Sequence, residues 1–192
     1  MKIEVSASIM PDEKVKNEIW NLMKRISKRY NTYHDVRKRF GPHVTVIGFE
    51  NVDYKNLKNV VSEIKLVCEQ TRPFIVKASN IDFFANEKQK LRTPYTIFLK
   101  VAKNASLAKL NRILEKKIRK YGKSKSKHFT PHVTLAHGDL TKENFLKAKK
   151  DLRNLQYSKN FVTRYLKIMI FREGNRKWEH VRTINFLSDK KV

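Results

Sequence analysis

Phe40-Gly41-Pro42-His43-Val44-Thr45-Val46 and Phe129-Thr130-Pro131-His132-Val133-Thr134-Leu135 are two versions of one heptapeptide, and they decide how the chain is read. Both run from an aromatic residue through proline into a β-branched, apolar stretch that favours a strand. Side chains alternate faces along a strand. His43 and Thr45 therefore share one face, and Val44 and Val46 the other. His132 and Thr134 are separated from Val133 and Leu135 in the same way. Each strand buries an aliphatic face and offers imidazole and hydroxyl to the opposite side.

Working outward from the two strands, the same order of elements appears twice. Residues 3–9 alternate like a half-buried strand, and Pro11-Asp12 opens a helix with Val15, Ile19, Leu22, Ile26 and Tyr30 on one face. The strand from His43 to Phe49 follows. Asp53 then caps a helix carrying Leu57, Val60, Ile64 and Val67, and residues 74–84 return to strand. The second half restarts with a strand at 95–101 and a helix bearing Leu107, Leu110, Ile113, Leu114, Ile118 and Tyr121, which Gly122 ends. His132 to His137 is the matching strand, and Thr141 caps a helix with Phe145, Ala148, Leu152 and Leu155. Closing strands at 161–171 and 178–187 flank a turn at 173–176. From Ile3 to His43 is 40 residues, and from Tyr95 to His132 is 37. The expected fold is α+β and bilobal, built from duplicated strand-helix-strand-helix-strand units. Two sheets face a central cleft, with helices on their outer faces. One domain spans residues 1–192, with repeats at about 1–87 and 92–190.

Composition narrows the chemistry. The 43 Lys and Arg against 18 Asp and Glu give a formal net charge of +25, which points to a polyanionic partner, nucleic acid above all. The 11 Phe and 7 Tyr argue for a folded chain rather than a disordered one. Cys68 alone can form neither an internal disulfide nor a thiolate zinc cluster. No apolar run is long enough for a membrane span and no signal peptide is visible, so a cytoplasmic monomer is expected.

Two histidines and two threonines converging on one cleft suit phosphodiester chemistry without a metal. A neutral imidazole takes a proton from the attacking oxygen, and an imidazolium gives one to the leaving oxygen. Threonine hydroxyls can donate to the non-bridging phosphate oxygens. No carboxylate cluster of the kind used by two-metal phosphodiesterases is apparent. No cofactor and no metal are expected. His137, five residues after His132, is read as lying on the opposite side of the strand, and His34, His128 and His180 share no ligand spacing.

The paired motifs, the order of elements and the Arg92-Thr-Pro-Tyr95 approach to the second half resemble the two-histidine phosphoesterase superfamily, in particular its RNA 2′-5′ ligase-like and 2′,3′-cyclic phosphodiesterase branch. The resemblance covers nearly the whole chain. It implies two lobes around a concave cleft and the opening of 2′,3′-cyclic phosphates, with reversible 2′-5′ RNA joining in some members. His43, Thr45, His132 and Thr134 inherit the catalytic roles. By the same resemblance His132 activates water and His43 protonates the leaving oxygen, although the residues alone leave acid and base open. The partner is RNA or a nucleotide with a 2′,3′-cyclic or 2′-5′ phosphodiester. Alternatives are 2′-5′ ligation or cleavage, and an RNA-binding module with a vestigial site. Arg39 and Lys127 belong to basic clusters just before the two motifs and can draw in a phosphate chain. Phe84, Arg92 and Trp178 can stack on a base or contact phosphate, Trp178 being the aromatic of the last hairpin.

Overall fold

The two motif strands lie side by side at the centre of the fold. A computed structural model of the protein describes residues 1–37, 41–86, 94–125, 128–175 and 177–187. In chain order the elements are β1 (Lys2–Ile9), α1 (Glu13–Tyr30), α2 (His34–Arg37), β2 (Val44–Asp53), α3 (Leu57–Glu69), β3 (Phe74–Ala85) and β4 (Tyr95–Val101). Then come α4 (Ala105–Ile118), β5 (Lys123–Ser124), β6 (His132–Ala136), α5 (Lys142–Leu152), β7 (Ser158–Thr163), β8 (Tyr165–Arg172) and β9 (Lys177–Asn185). The fold is α+β, as the element order implied. All strand pairs are antiparallel, and the main path runs β7-β3-β4-β6-β2-β1-β8-β9, with β5 beside β2. No described helix is long and apolar enough to cross a membrane.

Chain order and sheet order part company here. β3 lies among β7, β4 and β6, whereas β8 and β9 extend the leaf of β1 and β2. Each leaf also takes one helix from each repeat: α1 and α5 pack on the β7-β3-β4-β6 leaf, and α3 and α4 on the other. The leaves meet at a single rung, Val44 opposite Val133. β7 and β8 sit six places apart in the order yet are joined through Arg164 alone. Six strand spacings span about 29 Å in a flat sheet, but two residue steps reach only about 7 Å. The sheet must therefore curve back on itself between β7 and β8, a path on which the Val44–Val133 rung is the shortest pairing.

The expected strand at 161–171 is two strands, because its first part pairs with β3 and its second with β1. Asp12 and Thr141 cap their helices, accepting from the amides of Val15 and Asn144. Asp53 does not cap α3. It ends β2, its carboxylate is 2.8 Å from the Lys2 ammonium, and a 3₁₀ turn at Tyr54–Asn56 leads into the helix.

Gly122 serves a different end from the expected helix stop, since α4 already finishes at Ile118. A Cβ there would sit 2.6 Å from Val52 Cγ2 and 2.8 Å from the Glu50 carbonyl oxygen, so glycine is required by the close approach of β2. Gly122→Ala is expected to destabilise the fold by about 1–3 kcal/mol in chemical denaturation. An unchanged midpoint would mean that the segment yields freely.

Candidate active site

The site is built around the Val44–Val133 rung. Val44, Val46, Val133 and Leu135 are buried to within 1% exposure, so the aliphatic faces are in the core as the alternation demanded. Continuing the antiparallel register from that rung sets His43 across from Thr134 and His132 across from Thr45. A local twofold thus relates the motifs: Thr134 lines the same hollow as His43, and Thr45 the same hollow as His132.

Both imidazoles are anchored alike. His43 Nδ1 lies 3.0 Å from the Gly41 carbonyl oxygen, and His132 Nδ1 lies 2.8 Å from that of Thr130. A carbonyl only accepts, so Nδ1 carries the hydrogen in each ring and Nε2 is the nitrogen that exchanges a proton. Burial pushes both rings below the ordinary histidine value. For His43 the Gly41 carbonyl and the Asp35 charge oppose that effect, and the charges of His132 and His137 add to it. For His132 the Thr130 carbonyl opposes and His137 adds. The apolar surroundings of His132 are an aromatic corner. Phe84 and Phe98 stack with centroids 4.0 Å apart, and each meets the imidazole edge-on at 5.3 and 5.2 Å.

Two hollows meet at Thr45. One, of about 250 Å³, is lined by His43, Thr45, Thr134, His137, Asp35 and Trp178 among others. The other, a groove of about 610 Å³, is lined by His132, Phe84, Phe129, Asn111, Arg119 and His128 among others. The groove opens where β6 diverges from β2 after one rung. The Val46 carbonyl, left without a strand partner there, accepts from Asn111 Nδ2 at 2.7 Å.

The structure therefore brings His43, Thr45, His132 and Thr134 to the two hollows that share Thr45, with Trp178 lining the first and Phe84 the second. Phe84 is half-buried and supports His132 as well as lining the groove. Arg39, Arg92 and Lys127 lie outside the described residues.

His137 corrects the reading from alternation. β6 stops at Ala136, the two-residue period stops with it, and His137 lines the same cavity as His43 and Thr134. Its amide donates to Asp35 Oδ2 at 2.6 Å, and its Nδ1 is 2.7 and 2.9 Å from the two Asp35 oxygens. A second carboxylate ties the same segments in the opposite direction: Asp139 accepts from Thr32 Oγ1 and from the amides of Tyr33 and His34. Burial works to raise Asp139, but these hydrogen bonds outweigh it and hold the carboxyl below its usual value. Gly138, at φ +90°, completes the arrangement, because a Cβ there would collide with the His34 ring. His34, Asp35 and His137 offer donor atoms within 4.8 Å of one another, a set that could hold a divalent ion if the His137–Asp35 hydrogen bond gave way.

Solved structures share the fold. TT0787 of Thermus thermophilus superposes with a TM-score of 0.70 at 12% identity, covering 98% of this chain and 100% of that one. LigT of Escherichia coli, crystallised with 3′-AMP, gives 0.67 at 11%, again over 98% and 100%. In sequence, OB1230 of Oceanobacillus iheyensis, whose name proposes it as a phosphoesterase, is 23% identical over 177 residues, 92% of this chain and 94% of the relative. A duplicated His-x-Thr strand in this fold marks the two-histidine class of phosphoesterase. Within that class the chain belongs to the 2′-5′ RNA ligase superfamily, which it matches over residues 15–175.

Proposed function

We propose that the protein is a metal-independent phosphodiesterase that opens 2′,3′-cyclic phosphates on RNA ends or nucleotides. What carries the proposal is the single Val44–Val133 rung, which puts two identically anchored imidazoles and two hydroxyls on one face of the cleft. His132 takes the proton of the attacking water through Nε2. His43 delivers a proton to the leaving ribose oxygen, and Thr45 and Thr134 donate to the non-bridging oxygens. This division of labour is the one the family resemblance implies, and burial lowers both rings alike. Apolar burial between Phe84 and Phe98 suits a neutral base at His132. At His43 burial dominates too; the Gly41 carbonyl and the Asp35 charge offset it in part, and the charges of His132 and His137 add to it. That LigT, of the same fold, binds 3′-AMP supports a ribonucleotide in the cleft. A whole-chain reading as one bilobal, cytoplasmic domain goes with this proposal.

Room on both sides of Thr45 favours a second reading, in which the phosphate joins two nucleosides and the reaction is cleavage or formation of a 2′-5′ linkage. The same acid–base pair serves both directions.

The test is hydrolysis, in excess EDTA, of an oligoribonucleotide ending in a 2′,3′-cyclic phosphate, followed across pH. The active free enzyme has one imidazole neutral and one protonated. Both rings titrate below 6.5, so kcat/KM is expected to peak on the acid side of that value and to fall as pH rises and the acid loses its proton. A bound anionic phosphate favours the protonated rings, which moves the kcat profile to higher pH than that of kcat/KM. Turnover abolished by EDTA, or a kcat/KM maximum above neutrality, would overturn the mechanism.

A further inference from the structure

We propose that His137, held by Asp35, is a third histidine of the site and donates a hydrogen bond from Nε2 to a non-bridging oxygen of the bound phosphate. The inference rests on the reading that this cavity binds a phosphate, and it adds residues to that reading.

Three observations carry it. First, His137 and Asp35 line the cavity together with His43, Thr45 and Thr134, so the ring borders the space where a phosphate would contact both threonines. Second, the ring's orientation is fixed. Nδ1 sits 2.7 Å from one Asp35 oxygen and 2.9 Å from the other, and a carboxylate can only accept. Nδ1 therefore donates, which leaves Nε2 as the ring nitrogen available to a ligand in the cavity that His137 lines. Among the described residues the hydrogen bonds of His137 run through the amide and Nδ1 alone. Third, the backbone beneath the ring is clamped. The His137 amide donates to Asp35, while Asp139 holds the amides of Tyr33 and His34, so α2 and the end of β6 are tied reciprocally.

A metal ion on His34, Asp35 and His137 is the competing use of these atoms. Both Asp35 oxygens are already directed at His137, at 2.7 and 2.9 Å, shorter than the roughly 3.4 Å between two ligands of a tetrahedral ion held at about 2.1 Å. The geometry fits a carboxylate–imidazole pair better than an ion cage. As an imidazolium, the ring donates through both nitrogens and links the Asp35 carboxylate to the phosphate. Asp35 is then a positioning residue, and His137 is the one that touches substrate.

The decisive measurement is ¹⁵N NMR of histidine-labelled protein titrated with inorganic phosphate, with EDTA present. The His137 Nε2 resonance is expected to move on saturation, and Asp35→Asn should shrink that movement while the unfolding midpoint stays near that of wild type. In kinetics, His137→Gln is expected to lower kcat/KM by about 10²-fold, and Asp35→Asn by about tenfold. Inorganic phosphate should weaken as an inhibitor of both variants. A His137 resonance unmoved by phosphate, or a His137→Gln enzyme with wild-type kcat/KM and phosphate inhibition, would overturn the proposal. So would stoichiometric zinc binding that raises activity and is lost in His137→Gln. Because phosphate binding is read without turnover, an enzyme inactive on cyclic phosphates whose His137 still senses phosphate would refute the proposed substrate and leave this assignment standing.

Discussion

Alanine at either His43 or His132 is expected to lower turnover of a 2′,3′-cyclic phosphodiester by about 10²- to 10⁴-fold, the range for loss of a positioned acid or base. That corresponds to roughly 3–5 kcal/mol of transition-state stabilisation. The two residues act on one phosphorus through one transition state, so the double variant should fall little further than the worse single one. The argument rests on the anchoring of each ring. With Nδ1–H donated to a carbonyl two residues earlier, Nε2 has one task, to accept a proton as the neutral form or give one as the charged form. A glutamine in either place can donate a hydrogen bond but cannot cycle a proton, so His43→Gln and His132→Gln should be nearly as slow as the alanine variants. The glutamine pair also guards against a structural cause. His132→Ala leaves a gap beside Phe84 and Phe98, whereas His132→Gln keeps much of the volume. RNA affinity should survive in all four variants. Retention of more than about a tenth of wild-type turnover in both single variants would remove the paired-histidine mechanism.

Wherever local pattern decided the outcome, the sequence was legible. The helix face at Val15, Ile19, Leu22, Ile26 and Tyr30 is the buried face of α1, and the aliphatic sides of the motif strands are in the core. Partner choice was not legible. Nothing within residues 161–171 marks Arg164 as the point where the chain leaves one leaf and joins the other, because that break depends on β3 and β1 waiting elsewhere. Similarly, Gly122 resembles a helix stop until the backbone of β2 is found against it. His137 escaped because the two-residue alternation was carried one residue too far. The signal was present in His137-Gly138-Asp139, where glycine after the histidine marks the end of the strand. Its partner Asp35 lies 102 residues earlier, beyond the reach of any spacing rule.

Salt should separate an RNA substrate from a small nucleotide by more than any single side chain outside the site can. The chain has 43 basic and 18 acidic residues, so even if every carboxylate neutralised a cation, 25 positive charges would remain. Several acids are so engaged: Asp53 with Lys2, Glu63 with Lys117 and Lys120, Glu4 with Lys125, and Glu50 with Lys123. Arg119 lines the groove beside His132, and a single strand threaded there would extend its phosphates over this surface. For single strands, log affinity falls by about 0.7 per phosphate contacted for each decade of salt. A strand held at about five phosphates would thus bind about a hundredfold more weakly when salt rises from about 50 to 200 mM, whereas a cyclic mononucleotide with one phosphate would lose only about threefold. The expected result is the steep dependence for an oligoribonucleotide ending in a cyclic phosphate, measured as Kd on the His43→Ala protein so that turnover does not interfere. Arg119→Gln should flatten the slope by about 0.7, the share of one phosphate contact. Equal, shallow slopes for the oligonucleotide and the mononucleotide would mean that the excess charge plays no part in substrate capture, and the RNA chain would then give way to a small nucleotide as the proposed substrate.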